Sequence, residues 1–258
     1  MVRMITPMHR WQGRCMVSLN WDVIMVTTTV SMICLAMTHR IVMTMTSEQL
    51  LTLTQWLSPA FPVGSFAWSH GLEQAVASGE VTNAATLADW LDVVLTLGAG
   101  RNDAILLVAA YHAADPAVLS DVGELADALA PSLERKVEAQ QQGAAFAATV
   151  RQVWALDIPD VPYVVAIGRA AALVELPVVP VTQVFLLAFV TNLVQAAQRL
   201  MPLGQTEAQR VIHILSRRCA EVAATAASSD LDALGSAAFA VDIAAMHHEE
   251  LAPRLFRS

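Results

Sequence analysis

Lysine is almost absent from this chain of 258 residues, which has a single one, Lys136. Charged residues make up only 15% of the sequence, and the formal net charge is −8. A protein that binds nucleic acid needs a basic surface to neutralise the phosphates. The composition therefore predicts no nucleic-acid partner.

Cysteine is also scarce, with three widely separated residues: Cys15, Cys34 and Cys219. A disulfide framework normally uses an even number of cysteines at close, regular spacings. The pattern excludes a disulfide-stapled scaffold and is typical of a reducing compartment. We therefore predict a cytoplasmic protein.

No glycine-rich loop for a phosphate or dinucleotide is present, since neither a turn ending in Lys-Ser/Thr nor GxGxxG occurs. The stretch "AWSHG" (Ala67–Gly71) resembles the nucleophile elbow GxSxG, but that motif needs a strand before the turn. Helical periodicity surrounds it instead, so we expect Ser69 to be a helix residue. The sequence predicts a protein that is not an enzyme and has no cofactor.

The N-terminal segment differs from the remainder of the chain. An apolar run, Val23–Met37, follows several arginines, as in a signal peptide, but no small-residue cleavage site comes after it. Nine of the eleven methionines fall within the first 45 residues. We interpret residues 1–45 as an over-called or disordered extension, with native translation starting near Met43 or Met45. A signal peptide or a membrane anchor is the alternative.

A second apolar run, Val178–Ala197, is long enough to cross a bilayer. It contains Pro180, Gln183 and Asn192, and a central helix of a bundle has the same all-round hydrophobicity. The sequence therefore favours a buried core helix over a membrane span, and we predict no membrane partner.

From Thr46 onward the periodicity is helical and no segment alternates with period two. Thr46 and Gln49 form a predicted capping box, as do Thr206 and Gln209. Residues 46–258 are therefore predicted to form one all-α domain, a helical bundle of about eight to ten helices. Predicted helices after the first, which ends at Ser58, include Ser65–Ser78, Thr82–Leu97, Asn102–Ala114, Ala117–Leu129, Ser132–Leu156, Tyr163–Leu176, Val181–Leu200 and Ala238–Leu251.

One loop is unusually apolar for its position between two predicted helices. "LSPAFPVGSFAWSHGLE" (Leu57–Glu73) has two prolines and a glycine, yet it is lined with aromatic and aliphatic side chains. Loops are normally polar, because buried backbone groups need partners. A proline-stiffened apolar loop loses little entropy on binding, so we interpret it as a partner-docking element.

Two clusters of charged residues have alternative interpretations. "HHEE" offers His247, His248 and Glu250 as metal ligands, but zinc or nickel needs three or four ligands at fixed geometry. A solvated helix end is favoured, and a metal-binding helical protein stays open as the alternative. The charged residues of "LERKVEA" (Leu133–Ala139) are predicted to form an exposed helical face with paired charges.

Three blocks of the sequence resemble the UreF family of urease accessory proteins. They are the loop just described, "RLMPLGQTEAQR" (Arg199–Arg210) and the C-terminal "DIAAMHHEELAPRLFRS" (Asp242–Ser258), with "EAQQQGAAFA" (Glu138–Ala147) as a weaker fourth. They lie in family order across residues 46–258. Trp68 and His247 depart from the family, which commonly has Tyr and Arg there.

The resemblance implies an all-helical homodimer that acts as a non-enzymatic chaperone. Such a protein joins a UreD/UreH-type accessory protein and the GTPase UreG, and docks on apo-urease for GTP-dependent nickel insertion. By resemblance, Glu73 and Arg199 match positions tied to control of the GTPase, and Arg254 matches one tied to its recruitment. The implied partner-binding residues are Pro62, Gly64, Phe66, Trp68, Ser69, Gly71, Glu73, Arg199, Pro202, Gly204, Gln205, Thr206, His248, Arg254, Leu255, Phe256 and Arg257.

Overall fold

The first helix begins where the sequence predicts. In the computed structural model, which describes residues 45–258, the Thr46 hydroxyl accepts a hydrogen bond from Gln49 N at 3.2 Å. The Gln49 side chain in turn accepts one from Thr46 N at 2.9 Å. This capping box starts helix α1 (Ser47–Trp56). The predicted extension lies outside the described residues, apart from Met45.

Within residues 45–258 the structure has ten α-helices and no β-strand, which confirms the predicted all-α fold. Residues Met45–Ser258 form one compact unit. After α1 come α2 (Leu72–Ala77), α3 (Ala84–Leu97), α4 (Ala99–His112), α5 (Pro116–Ala128), α6 (Leu133–Trp154), α7 (Tyr163–Leu173), α8 (Val178–Leu200), α9 (Gln205–Ala226) and α10 (Phe239–His248).

The predicted helix Ser65–Ser78 is wrong before Leu72 and confirmed after it. Ser65–Ala67 form a single 3-10 turn, and the chain is then extended at Trp68, so that α2 begins only at Leu72. Ser69 is therefore not a helix residue. A tertiary contact takes the place of a helical hydrogen bond here. The backbone N of Ser69 donates to the backbone O of Ser258 at 2.7 Å.

The second predicted capping box is also wrong. Helix α9 begins at Gln205, and the Glu207 carboxylate accepts a hydrogen bond from Gly204 N at 3.3 Å. Thr206 and Gln209 are exposed and do not cap the helix. The reason is that α9 starts two residues earlier than predicted, so that the N-cap is Gly204 and the third helical position, whose side chain can reach back to it, is Glu207.

Helix α8 is the central helix. It packs against α9, α4 and α2, and its buried side chains include Phe185, Leu186 and Leu193. Pro180 lies in its first turn, where backbone N–H groups have no acceptor within the helix. Proline, which lacks an N–H, therefore breaks no helical hydrogen bond there. The sequence prediction of a core helix here agrees with this packing.

Two stretches among the described residues are long and apolar enough to cross a membrane by length and composition. They are Ala84–His112 and Val178–Leu200, and the most apolar 18 residues of each are 61% and 39% buried inside the structure. The first is divided at Gly98 into α3 and α4, which pack against each other.

Candidate functional site

The C-terminal tail, residues 252–258, folds back onto the apolar loop. Arg257 N donates to Ala67 O at 2.9 Å, next to the Ser69–Ser258 backbone hydrogen bond, and the Ser69 hydroxyl also donates to Ser258 O. Ser258 and Phe256 are buried. The first and third family-like blocks, which lie at opposite ends of the described chain, therefore form one structural unit.

Glu73 holds the tail in place. It lies in the first turn of α2, is buried, and accepts hydrogen bonds from Leu255 N at 2.6 Å and Phe256 N at 2.8 Å. Hydrogen bonds to an ionised carboxylate are shorter and about twice as strong as neutral ones. The carboxylate thus replaces the strand or helix partner that the tail backbone lacks.

His248 connects Glu73 to a second carboxylate. Its Nε2 lies 3.1 Å from Glu73 Oε2, and its Nδ1 lies 2.7 Å from Glu134 Oε2. Each ring nitrogen of the buried imidazole thus lies within hydrogen-bond distance of a carboxylate oxygen. Glu134 also pairs with Arg254 of the tail. This chain of charges joins α2, α10, α6 and the tail.

Two arginines cover aromatic rings at the same place. The Arg199 guanidinium lies 4.0 Å from the Phe256 ring centroid, and its Nη2 donates to Phe66 O at 2.5 Å. The Arg257 guanidinium lies 4.5 Å from the Trp68 ring centroid. Cations over aromatic faces are stabilised by the ring quadrupole. Arg199 therefore has a specific structural contact at the end of α8, linking that helix to both the loop and the tail.

A second buried charge cluster lies beneath the end of the tail. Glu138 Oε1 lies 2.8 Å from His70 Nε2, and Glu138 Oε2 accepts from Ser258 Oγ at 3.1 Å and from Arg135. Gln142 Nε2 donates to Glu138 Oε1 at 2.8 Å. Glu138 is only 3% exposed and Arg135 only 9%. Our prediction that the charged residues of this stretch form an exposed face is wrong for both of them.

The pKa values of this cluster follow from burial and from Arg135. Burial alone would raise the pKa of Glu138, but Arg135 and His70 outweigh it and lower that pKa to about 2. Burial and the neighbouring guanidinium both lower the pKa of His70. For Asp103, burial raises the pKa to about 7 against the opposing effect of Arg135. Glu138 is therefore the ionised acid that compensates the charge of Arg135.

Sequence reasoning missed these interior charges, although a signal was present. Arg135, Glu138 and Gln142 recur at helical spacing on the face of α6 that continues to buried Phe146 and Val150. Residues three and four apart share a face, so the polar group continues the apolar stripe towards the N-terminus of the helix. Short-range charge pairing predicts an exposed face for the same residues, and the local sequence does not distinguish the two arrangements.

The structure divides the predicted partner-binding residues into two groups. One group is interior and lies where the loop and tail meet, and the other is exposed or half-buried at the surface. The interior group is Trp68, Ser69, Gly71, Glu73, His248 and Phe256. The surface group is Pro62, Gly64, Phe66, Arg199, Pro202, Gly204, Gln205, Thr206, Arg254, Leu255 and Arg257.

The three candidate metal ligands do not converge. His248 is buried with both ring nitrogens bound to carboxylates, whereas His247 and Glu250 are exposed. Helix α10 ends at His248, so Glu250 lies beyond the helix and not on a shared helical face. Over residues 45–258, no group of three or more His, Cys, Asp or Glu side chains could hold a metal ion.

An apolar groove runs beside α8, between that helix and the start of the loop. It also reaches the His70, Arg135 and Glu138 cluster. Its apolar lining consists of Leu57, Pro59, Val63, Tyr163, Val164, Val184, Phe185, Leu187, Ala188 and Phe189. Several of these side chains are only half-buried, so α8 has an apolar side that the other described elements cover only in part.

Comparison with known proteins gives one consistent result. The family model named UreF matches residues 81–216. A urease accessory protein UreF of Cereibacter sphaeroides is 53% identical over 212 residues, covering 82% of this chain and 100% of the relative. Namesakes from Ruegeria pomeroyi (47% over 215 residues, 83% and 99% covered) and Bradyrhizobium diazoefficiens (46% over 221 residues, 81% and 91% covered) are similar. The chain belongs to the UreF family of urease accessory proteins.

Proposed function

We propose that this chain is a non-catalytic chaperone in urease maturation, which bridges a UreD/UreH-type accessory protein and the GTPase UreG. In this role it regulates the GTPase and promotes GTP-dependent nickel insertion into apo-urease in the cytoplasm. Family membership supports the general role. The proposal needs no nucleic acid, membrane or cofactor, and nickel is the cargo of the complex.

The observation that carries the proposal is that buried Glu73 fixes the backbone of the tail while neighbouring tail side chains stay exposed. Leu255 is 62% exposed, although its backbone N–H is fixed by Glu73. Arg254 beside it is exposed and paired with Glu134. Exposed apolar and guanidinium groups in a fixed conformation are typical of binding hot spots. The surface made of Phe66, Arg254 and Leu255 is therefore our proposed contact with the GTPase.

We expect Arg254→Ala to reduce capture of the GTPase strongly while leaving the fold intact. A hot-spot residue contributes about 2 kcal/mol or more to binding, which is roughly a 30-fold change in affinity. Loss of its partly exposed ion pair costs about 1 kcal/mol of stability at most. The measurement is pull-down of the GTPase by a preformed complex with the UreD-type protein, with the melting temperature recorded in parallel.

Arg217→Ala is the matched control, because Arg217 forms an exposed pair with Glu221 on α9. Undiminished capture by Arg254→Ala contradicts the assignment. A large fall in its melting temperature would instead give Arg254 a role in the fold.

We propose in addition that the groove beside α8 is covered by a second copy of the chain. Unpartnered apolar surfaces of this kind are typical of subunit interfaces. We expect sedimentation equilibrium to give the mass of two chains, and Leu187→Gln to weaken the dimer, because Leu187 lines the groove and is half-buried. A monomer at micromolar concentration, or an unaffected dimer in the variant, contradicts this part.

A further inference from the structure

Helix α10 is apolar on both of its sides. Val241, Ala244 and Ala245 are buried against the bundle, where α10 packs on α2, α3 and α6. On the opposite side the exposed fractions are 69% for Phe239, 52% for Ile243 and 51% for Met246.

The spacing of the exposed residues makes them one stripe. Positions 239, 243 and 246 are four and three residues apart, so their side chains lie next to one another along the helix. A surface helix of a soluble domain normally has polar residues there, and a helix that is apolar all round is buried. We call Phe239, Ile243 and Met246 the α10 stripe.

Leu133 extends the same surface. It is 65% exposed at the start of α6, and its backbone N donates to Glu249 Oε1 at 2.8 Å, so it lies beside the end of α10. Leu133 thus adds a large apolar side chain beside the C-terminal end of α10, whereas Phe239 lies at the start of the helix. Single exposed apolar residues are ordinary, but a contiguous group marks an interaction surface.

The charged residues in the chain segment around the stripe are all acidic. Residues 228–251 contain Asp230, Asp232, Asp242, Glu249 and Glu250 but no lysine or arginine. Asp230, Asp232, Glu249 and Glu250 are exposed. An acidic border around an apolar stripe is complementary to a segment with an apolar face flanked by lysines or arginines.

We infer that the α10 stripe is a docking surface for a basic amphipathic helix of a partner protein. The apolar face of that helix would cover Phe239, Ile243 and Met246, and its basic side chains would face the acidic border. The side chains of Phe239, Ile243 and Met246 lie on the side of α10 opposite buried His248, whereas Leu133 lies next to Glu134, the partner of Arg254. The inference stands whether or not the tail binds the GTPase.

The test uses the full chain and two synthetic peptides. One peptide is an amphipathic helix with leucines on one face and lysines on the other, and its counterpart has glutamates in place of the lysines. The stripe variant combines Phe239→Gln, Ile243→Gln and Met246→Gln, because glutamine keeps helix propensity while removing apolar area. The control variant, Leu51→Gln, Val153→Gln and Ile214→Gln, changes similarly exposed residues on α1, α6 and α9.

We expect the lysine peptide to bind the wild type and the control variant alike, and the stripe variant at least about tenfold more weakly. Added salt should weaken the binding, since charge attraction is screened. The glutamate peptide should not bind. Melting temperatures show whether each variant is folded. If the triple variant unfolds, the single variant Ile243→Gln replaces it, and we expect this variant to weaken binding by a smaller factor.

Three results would overturn the inference. One is equal binding of the lysine peptide to all variants, or of both peptides to the wild type. Another is self-association of the wild type that only the stripe variant loses, which would assign the stripe to a second copy. The third is binding of the wild type to anionic phosphatidylserine vesicles, lost in the stripe variant, without binding of the lysine peptide.

Discussion

Replacement of Gly71 by alanine is expected to lower the free energy of unfolding by about 3 kcal/mol or more. Gly71 has φ +75°, which costs a residue with a side chain roughly 1–2 kcal/mol. An added Cβ would also lie 2.7 Å from Ala245 N and 2.9 Å from Ala245 Cα, both of them backbone atoms of α10. Since a helix backbone cannot move aside locally, α10 and α2 must separate.

Gly64 supplies the matched control. It has φ +72°, but an added Cβ would meet no atom within 4 Å. Gly64→Ala should therefore show only the backbone cost, about 1–2 kcal/mol. Chemical denaturation of both variants separates the close approach from the backbone strain. Equal destabilisation of the two variants would show that the contact between Gly71 and α10 contributes nothing.

The position of Gly71 ties this stability effect to the site. It directly precedes α2, whose first turn places Glu73 against the tail, and it lies against the helix that contains His248. Separation of α2 and α10 would lengthen the Glu73–His248 contact and release the tail. We therefore expect trypsin to cleave after Arg254 and Arg257 faster in Gly71→Ala than in Gly64→Ala, under conditions where both are folded.

The second large effect is expected for Glu138→Gln, at about 3 kcal/mol or more near pH 7. The change leaves the Arg135 guanidinium buried without its carboxylate, and removal of one partner of a buried pair is strongly destabilising. The exposed carboxylate of Glu221, paired with Arg217 and Arg218, is the control. Glu221→Gln should cost about 1 kcal/mol at most.

The pH dependence checks the same contact independently. Because the pKa of Glu138 is about 2 in the folded protein, below the ordinary glutamate value of 4.5, the unfolded chain binds more protons between these values. The contribution of Glu138 to stability is therefore complete above about pH 4.5 and is lost as the pH falls towards 2. The difference in unfolding free energy between wild type and Glu138→Gln should shrink over this range. A constant difference would contradict a buried ionised carboxylate at this position.

The helices themselves could be predicted from the sequence. Apolar residues at helical spacing, prolines and side-chain caps are local signals, because a helix forms its hydrogen bonds within one segment. The capping box of Thr46 and Gln49 appears as expected, and the all-α fold follows from the same pattern. The family could also be identified, since its blocks are continuous stretches of sequence in a fixed order.

The sequence could not show which members of those blocks face inward. Ser69 loses its helix and Glu73 becomes interior because the tail, about 180 residues later in the chain, returns to supply their partners. His248 becomes interior because α10 packs on α2 and α6, which supply Glu73 and Glu134. Arg135 and Glu138 have a spacing that is equally typical of an exposed ion pair and of a buried one. Only the tertiary structure decides between these, because burial depends on which distant elements cover a face, and no local pattern specifies that.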